Sequence, residues 1–296
     1  MNIRKEKREG IPMMKTNKDR LVKLSVQGEV SAPGYNDLGK LDHEGQAFVL
    51  PSTGGITYNV KIGDLACGFE ADHIEPGVST RNPDTRASNA YNYLSCVGNE
   101  ATVISGDAKG AKGFVTGTHG GIEHVIMYFP EEALEKMNIG DKINVRSFGQ
   151  GLKLEDYPGI TVMNLDPLLM EKMNICEQDG KLVIPVAKVV PGCLMGSGLG
   201  AATTKKGDYD ITMFDKKLVA EYELDTLRLG DIVALLDCDN TNGRNFITGA
   251  LSVGVVVHGS CKTSGHGPGV TTLFSCLDGT MAYTVDPKAN LADILL

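Results

Sequence analysis

Short runs of β-forming residues, separated by turn residues, constrain the fold of this 296-residue chain more than any other feature. The run at residues 21–26 alternates apolar and polar side chains, and the runs at residues 47–50 and 56–62 are bounded by Gly, Pro and Ser. Further runs occupy residues 101–104, 113–116, 123–129, 142–148, 181–190, 231–236 and 246–257. This spacing favours antiparallel sheets or barrels over a regular alternation of strands and helices.

Helical signals are few. Proline and acidic residues at the amino-terminal end predict short helices over residues 129–138 and 166–174, and a third is predicted near Pro287. The chain is therefore predicted to be mainly β, with two barrel-like or sandwich-like β domains and a few short helices. The expected division is a basic arm over residues 1–20, an N-terminal domain over residues 21–175 and a C-terminal domain over residues 176–296.

An apolar–Gly–Asp sequence occurs three times directly before a strand or possible strand, at residues 62–64, 139–141 and 229–231. In a tight turn, Gly adopts positive φ and the Asp side chain bonds nearby backbone amides. We interpret each copy as a turn that leads into a strand.

Composition restricts the class of partner. A formal net charge of −8 gives no electrostatic basis for nucleic-acid binding. The chain has no apolar run of about eighteen residues and no early apolar core, so we expect neither a membrane span nor a signal peptide. Its seven cysteines have irregular spacing and form no disulfide framework, which favours a reducing, cytoplasmic compartment. The arm is interpreted as solvated, with a basic interaction tail as the alternative.

The turn at residues 265–269 follows an apolar β-branched run that ends at His258. Three glycines and a proline fix an unusual backbone path with exposed amides, so a ligand can approach the backbone closely. His266 is the one large side chain of this turn, and we predict that it is catalytic. The glycines predicted to contact substrate are Gly265, Gly267 and Gly269.

The spacing of His258, Cys261 and His266 also permits a site for a soft metal ion, although the local sequence provides no fourth ligand. Cys261 as a nucleophile with a histidine base is a further alternative. His258 fits a packed residue at the end of a strand equally well. The interpretation we favour leaves His266 as the functional residue of this loop.

Two earlier segments contribute histidines. His73 follows a predicted strand and is predicted to be catalytic, with a capped turn as the alternative; in a continuous strand, Asp72 and His73 would point to opposite faces. His119 lies in a glycine-rich loop and is predicted to bind substrate, whereas His124 is interpreted as a packed strand residue. The spacing of His119 and His124, with two glycines between them, excludes a helical zinc-protease motif.

Two pairs of aspartates come later in the chain. Alternation along a strand places both members of each pair on one side, where the carboxylates repel unless a cation or Arg244 neutralises them. We therefore predict a divalent metal ion bound by oxygen ligands, with Arg244 contacting substrate; ordinary turn chemistry is the alternative. The predicted ligands are Asp208, Asp210, Asp237 and Asp239. The glycine-rich segment 196–200 is not followed by a helical pattern, so no nucleotide cofactor is expected.

Several strings resemble an uncharacterised bacterial family that is known as a domain of unknown function, of the DUF4438 type. They lie at residues 72–78, 148–152, 249–258 and 265–272. The resemblance implies a β-rich protein with an amino and a carboxyl domain, and it implies no activity. A weaker likeness, to acetamidase and formamidase enzymes, rests on the glycine–aspartate rhythm of residues 207–211 and 230–243. The chain departs from that pattern because residues 231–243 contain no histidine.

Together these features predict a metal-assisted enzyme that acts on a small polar metabolite, with hydrolysis of an amide-type bond as the favoured reaction. The ion would polarise a carbonyl or activate water, and His266 or His73 would move the proton. The alternative is a non-catalytic protein that binds a small ligand or assembles as a homo-oligomer through its glycine loops. In either case we expect a homo-oligomer, with no nucleic-acid or membrane partner.

Overall fold

The computed structural model describes residues 14–34, 40–197 and 200–296. Its strands are β1 Leu24–Val30, β2 Lys40–Leu41, β3 Ala47–Phe48, β4 Ile56–Thr57, β5 Gly77–Arg81, β6 Glu100–Val103, β7 Lys112–His119, β8 His124–Tyr128, β9 Lys142–Ser147, β10 Ile160–Val162, β11 Cys176–Gln178, β12 Lys181–Val186, β13 Lys188–Val190, β14 Tyr209–Asp210, β15 Ile232–Asp239, β16 Asn245–His258, β17 Gly269–Cys276 and β18 Met281–Val285. Its α-helices are α1 Thr85–Leu94, α2 Glu131–Leu134, α3 Pro167–Met170, α4 Lys216–Glu221 and α5 Leu291–Leu295. Short 3-10 turns occupy Lys18–Arg20, Gly192–Leu194 and Leu224–Thr226.

Six strands of the N-terminal half close into an antiparallel barrel. The strand order is β1-β9-β6-β7-β8-β5, and pairing of β5 with β1 closes the ring, with β4 added at β5. Alternate side chains of these strands fill the interior with an apolar cluster that includes Val78, Val103, Met127 and Val145. Tyr91 of α1 packs over Gly28 of β1, where a Cβ would overlap its ring. The barrel therefore holds α1 close against its wall.

The second half is built on a sheet with strand order β10-β17-β16-β15-β13, to which β14 adds by pairing with β17. One apolar cluster, including Val253, Val255 and Leu273, covers one face of this sheet, and a second cluster, including Val256 and Val270, covers the other. Because both faces are buried, β17 and residues 250–257 of β16 contain only apolar residues, Gly, Ser and Thr. Smaller sheets have the orders β11-β12-β18 and β2-β3.

The predicted fold class is confirmed: the protein is mainly β, with 37% of residues in strands and 14% in helices, and it contains a closed six-stranded barrel. Two pairings, β12–β18 and β13–β15, are parallel, which the expectation of antiparallel sheets did not include. The sequence prediction omitted α1, whose apolar residues are sparse, and several strands, among them β5, β17 and β18; only Gly269 of β17 lies within the predicted glycine turn. Gly269 belongs to that strand because it pairs with Asp210 of β14 and with His258 of β16.

The three apolar–Gly–Asp sequences form the predicted turns. The glycines Gly63, Gly140 and Gly230 have φ of 94°, 87° and 86°. Each aspartate accepts a hydrogen bond from the backbone amide three residues earlier, at 2.9, 2.8 and 2.7 Å for Asp64, Asp141 and Asp231. The turn interpretation is confirmed for all three copies; the second and third lead into β9 and β15, whereas the first is followed only by an isolated bridge at Leu65.

Part of the predicted basic arm contacts the body of the protein. The backbone amide of Lys15 donates to Asp156, the Asn17 side chain donates to Gly151 O, and Arg20 pairs with Glu155 at 2.7 Å. Residues 1–13 of the arm lie outside the described residues. Among the residues that the structure describes, no helix has the length and apolar character needed to cross a membrane.

The barrel and the second sheet meet where β7 ends against β16 and β17. Thr118 N donates to Thr271 Oγ1 at 3.1 Å, and Gly259 N donates to Ile74 O at 2.9 Å. Gly117 lies against Val257, which a Cβ at residue 117 would overlap. This close contact brings polar residues from both halves of the chain into one place.

Candidate metal centre

Four imidazoles meet at the junction of the two halves. The rings of His119 and His258 stack with centroids 4.0 Å apart, and His73 lies 5.2 Å from both His258 and His266. His119 ends β7 and His258 ends β16, while His73 lies in the turn before β5 and His266 in the loop between β16 and β17. The ends of separate elements therefore supply the cluster.

The aspartates on either side of Tyr209 complete the cluster. Tyr209 and Asp210 form β14, which pairs with Val270 and Gly269 of β17. Tyr209 packs into the apolar core, so the alternation of the strand turns Asp208 and Asp210 towards the histidines. This shared side is the one that the sequence pattern predicts for the pair.

Three of the imidazoles are held through Nδ1. His119 Nδ1 donates to Glu75 at 2.7 Å, His258 Nδ1 donates to Gly259 O at 2.9 Å, and His73 Nδ1 donates to Asp72 at 3.1 Å. Metal-binding histidines are oriented by this kind of hydrogen bond, which fixes the tautomer and leaves Nε2 as the donor atom to the ion.

Three groups of three residues each bring one donor atom within 4.8 Å of the others, and two of these groups make up the cluster of histidines and aspartates. We call the first the inner set; it consists of His119, Asp208 and His258, which are all buried. Asp208 Oδ2 lies 2.8 Å from His258 Nε2, and its other oxygen accepts from Gly120 N at 2.5 Å. Hydrogen bonds to the backbone and between side chains therefore hold the donor atoms of the inner set in place, away from solvent.

The outer set consists of His73, Asp210 and His266. His266 Nδ1 donates to Asp210 Oδ2 at 2.7 Å and lies 3.3 Å from His73 Nε2. The His266 side chain is 39% exposed, whereas the other side chains of both sets are at most about a tenth exposed. The outer set therefore forms the opening of the centre to solvent.

Glu75 supports the cluster from behind. Its carboxylate accepts hydrogen bonds from His119, from His124 at 2.9 Å, from Gly54 N at 2.9 Å and from the hydroxyl of Ser79. The side chain is almost completely buried. Burial alone would raise its pKa, but the charge of His124 and the hydrogen bond from His119 hold the pKa of Glu75 well below its usual range. Glu75 is therefore a buried anion with four donors.

Charge is distributed unevenly among the imidazoles. Burial alone would lower the pKa of His258, but the charge of Asp208 and hydrogen bonds to Asp208 and Asp210 raise it to about 10. Burial opposes the same shift at His73, where hydrogen bonds to Asp210 and Asp72 raise the pKa to about 12. Burial and the charge of stacked His258 lower the pKa of His119. The protonated forms of His73 and His258 thus lie next to carboxylates, at positions that favour a positive charge.

The second pair of predicted aspartates lies elsewhere. Asp237 has φ of 53° at a bulge in β15 and accepts from Gly249 N at 2.8 Å. Asp239 accepts from Thr241 N at 3.0 Å and from Ser275 Oγ at 3.1 Å. The structure brings Asp208 and Asp210 to the histidines and places Asp237 and Asp239 in the hairpin of β15 and β16. The candidate donors at the centre are thus imidazoles and two carboxylates, whereas the sequence prediction had four carboxylates.

Arg244 and the glycine loop are positioned by backbone contacts. The Arg244 guanidinium donates to Gly196 O at 2.8 Å and to Met195 O, which ties the hairpin to the loop before β14. Gly265, at φ of 80°, accepts from Ser197 N at 2.6 Å. Gly267 lies against Ile211 O, which a Cβ at residue 267 would overlap. These residues shape the loop that carries His266.

Gly269 lies directly beneath the inner set. A Cβ at this position would overlap His258 Nε2 and Asp208 Oδ2. We therefore expect Gly269→Ala to displace these donor atoms and to lower affinity for a divalent ion at least about tenfold, in the range found for changes around metal ligands. Titration of chelator-treated protein with Zn²⁺ measures the effect. Gly34→Ala is the control, because a Cβ there contacts nothing within 4 Å; equal affinities of the two variants would contradict the prediction.

Sequence reasoning missed Glu75, the role of His124 and the placement of His258 in the centre. It also separated Asp72 from His73, which are hydrogen-bonded because His73 has a left-handed φ of 56° and the chain turns there instead of continuing as a strand. The sequence signal for Glu75 was its position between Ile74 and Pro76, because a carboxylate among apolar residues needs hydrogen-bond donors.

Fold and centre together define a two-part β protein with a cluster of histidines and aspartates between its parts. Family models described as "Domain of unknown function (DUF4438), N-terminal" and "Domain of unknown function (DUF4438), C-terminal" match residues 40–171 and 172–295. The chain belongs to the DUF4438 family, as the resemblance in its sequence predicts. It is similar to a solved structure titled "Crystal structure of TM1086", with 46% identity and a TM-score of 0.91 over 96% of this chain and 99% of that chain. Among curated proteins, none matches.

Proposed function

We propose that this protein is a metal-dependent enzyme that acts on a small polar metabolite, as a hydrolase of an amide-type bond. The observation that carries the proposal is the convergence of His73, His119 and His258, each held through Nδ1, on two buried aspartates. A cluster that only needed to pack would not require three imidazoles that are each oriented by a hydrogen bond at Nδ1. Perturbed titratable groups that open to solvent are typical of functional sites.

The distances support a metal site. With bonds of about 2.1 Å, neighbouring donors in a tetrahedral or octahedral shell are roughly 3.0 to 3.4 Å apart. His258 Nε2 lies 2.8 Å from Asp208 Oδ2 and 3.4 Å from Asp210 Oδ1. A mixture of imidazole nitrogen and carboxylate oxygen suits Zn²⁺, Mn²⁺ or Fe²⁺ better than Ca²⁺ or Mg²⁺, which prefer oxygen ligands. We therefore assign a first-row transition metal to the inner set.

The residues around the ion have defined roles in amide hydrolysis. An ion held by the inner set would polarise the carbonyl and lower the pKa of a bound water. The reaction forms a C–O bond with water and breaks the C–N bond, so one proton must leave the water and one must reach the nitrogen. His266 lies at the opening with Nδ1 on Asp210, and His73 lies beside it. These two imidazoles are the groups that we assign to proton transfer.

A homo-oligomeric assembly role is the second candidate. Phe246 and Ile247, at the start of β16, are 64% and 40% exposed, which favours contact with another surface. The assembly role differs from the enzymatic one in requiring no ion at the centre.

All seven cysteines are free, in accordance with the proposed cytoplasmic location.

Metal analysis combined with an activity assay tests the proposal. Purified protein should contain a transition metal. Adding that metal back to chelated protein, at metal concentrations well above Kd, should raise the melting temperature by roughly 5 °C. Release of ammonia or amine from small amides should depend on that metal and should be lost in His258→Gln. His43→Gln, which changes a histidine that belongs to none of the candidate ligand groups, should keep metal and activity. An absence of bound metal together with an unchanged melt would exclude the enzymatic proposal and favour assembly.

A further inference from the structure

We infer that the centre binds a second divalent ion through the outer set, with the Asp210 carboxylate bridging the two ions. The inference goes beyond the proposed function and rests on its inner ion. The observation behind it is the position of Asp210, which lies between the inner and outer sets and contacts a histidine of each.

The two oxygens of Asp210 face different histidines. Oδ1 lies 3.4 Å from His258 Nε2 of the inner set. Oδ2 lies 2.7 Å from His266 Nδ1 and 3.9 Å from His73 Nε2, both of the outer set. A carboxylate with this arrangement holds two ions about 3.5 to 4 Å apart, the separation found in two-metal hydrolytic centres.

The orientation of His73 favours the outer set over an alternative group of Asp72, His73 and Cys261, whose donor atoms also lie within 4.8 Å of one another. Asp72 already accepts from His73 Nδ1 and pairs with Lys40 at 2.9 Å. Its charge is thereby compensated, so Asp72 orients the ring and His73 Nε2 is directed to Asp210 and His266.

The exposure of the outer set fits a catalytic ion. Three protein ligands with an open side leave a coordination position for water or substrate, whereas a structural ion has a closed shell. The partly exposed His266 is on that open side. With the second ion bound, His73 and His266 would act as ligands and would give up the proton-transfer role that they have with the inner ion alone. Two ions in this position would supply a bound water and polarise the carbonyl, and the proton released by that water would pass to the leaving nitrogen.

The experiment measures the number of ions in the full-length protein. Chelator-treated protein is reloaded with Mn²⁺ and desalted, and its metal content is determined by elemental analysis. We expect about two ions per chain in the natural protein, about one in His266→Ala and about two in the control His43→Ala. The natural protein should also give the electron paramagnetic resonance signal of a magnetically coupled ion pair, and His266→Ala should give that of an isolated ion.

The outcomes separate this inference from the proposed function. One ion per chain in the natural protein, or two in both the natural protein and His266→Ala, overturns the second site and leaves the inner ion in place. No ion in any form overturns both. His73→Gln serves as a second outer-set variant if His266→Ala melts below the natural protein after chelation; it too should retain about one ion.

Discussion

The affinity of the centre for a divalent ion is expected to rise about tenfold per pH unit for each proton that the ion displaces between pH 6 and pH 9. His258 and His73 have pKa values raised to about 10 and about 12, so both imidazoles carry protons throughout this range before an ion binds. Binding must release these protons, and the affinity should therefore increase up to about a hundredfold per unit when both are displaced.

The stability of chelated protein should change with pH in the opposite direction. A histidine whose pKa is raised by folding stabilises the folded chain fully below its unfolded pKa of about 6.5, and this contribution is lost as the pH rises through the folded value. For His258 the loss extends to about pH 10. Alkaline conditions thus destabilise the chelated protein while they strengthen metal binding, so added metal should stabilise the fold most at high pH.

Isothermal titration with Zn²⁺ at several pH values, in buffers of different ionisation enthalpy, measures both the affinity and the number of protons released. The variant His43→Gln should show the same slope, because the His43 side chain is partly exposed and belongs to neither ligand set. An affinity that stays constant between pH 6 and pH 9 would mean that His258 and His73 are neutral before the ion binds, contrary to the charges assigned above.

The fold class followed from the sequence because half-buried strands leave a local alternation of apolar and polar residues. Turn chemistry was readable for the same reason: Gly63 and Asp64 form their turn from adjacent residues. The pattern failed where burial on both sides removes alternation, as in β17, whose residues are all buried. Helix α1 was missed because its contacts with the barrel, through Tyr91, stabilise it more than its own apolar pattern does.

The centre was only partly predictable because its members come from segments far apart in the chain. His266, His73, Asp208 and Asp210 could be selected one by one as polar residues near turns and strands. Their grouping, and the exclusion of Asp237 and Asp239 from it, depends on pairing of β14 with β17 and on contact between β7 and β16. Local spacing contains no information on those contacts. Glu75 was missed because its role is to orient histidines that lie 44 and 49 residues away.

Glu75→Gln is expected to destabilise the protein by about 3–5 kcal/mol, the cost of removing one partner from a buried charged pair. The natural carboxylate accepts from His119, His124, Gly54 N and Ser79. A glutamine offers one acceptor oxygen and an NH₂ donor, so at least one buried donor is left facing another donor. Since His119 also loses its orienting anion, affinity for an ion at the inner set should fall about 10–100-fold.

Urea unfolding at pH 7 of chelated protein, and competition titration with a chromophoric chelator, measure these two effects separately. Glu100→Gln is the control, since Glu100 forms an exposed pair with Lys112 that contributes at most about 1 kcal/mol.

The effect should depend on pH. Folding lowers the pKa of Glu75, so the contribution of Glu75 to stability is present above its unfolded pKa of about 4.3 and is lost as the pH falls through the folded value. The difference between natural protein and Glu75→Gln should therefore narrow in acid. A loss below about 1 kcal/mol at pH 7 with unchanged metal affinity would show that Glu75 orients neither histidine.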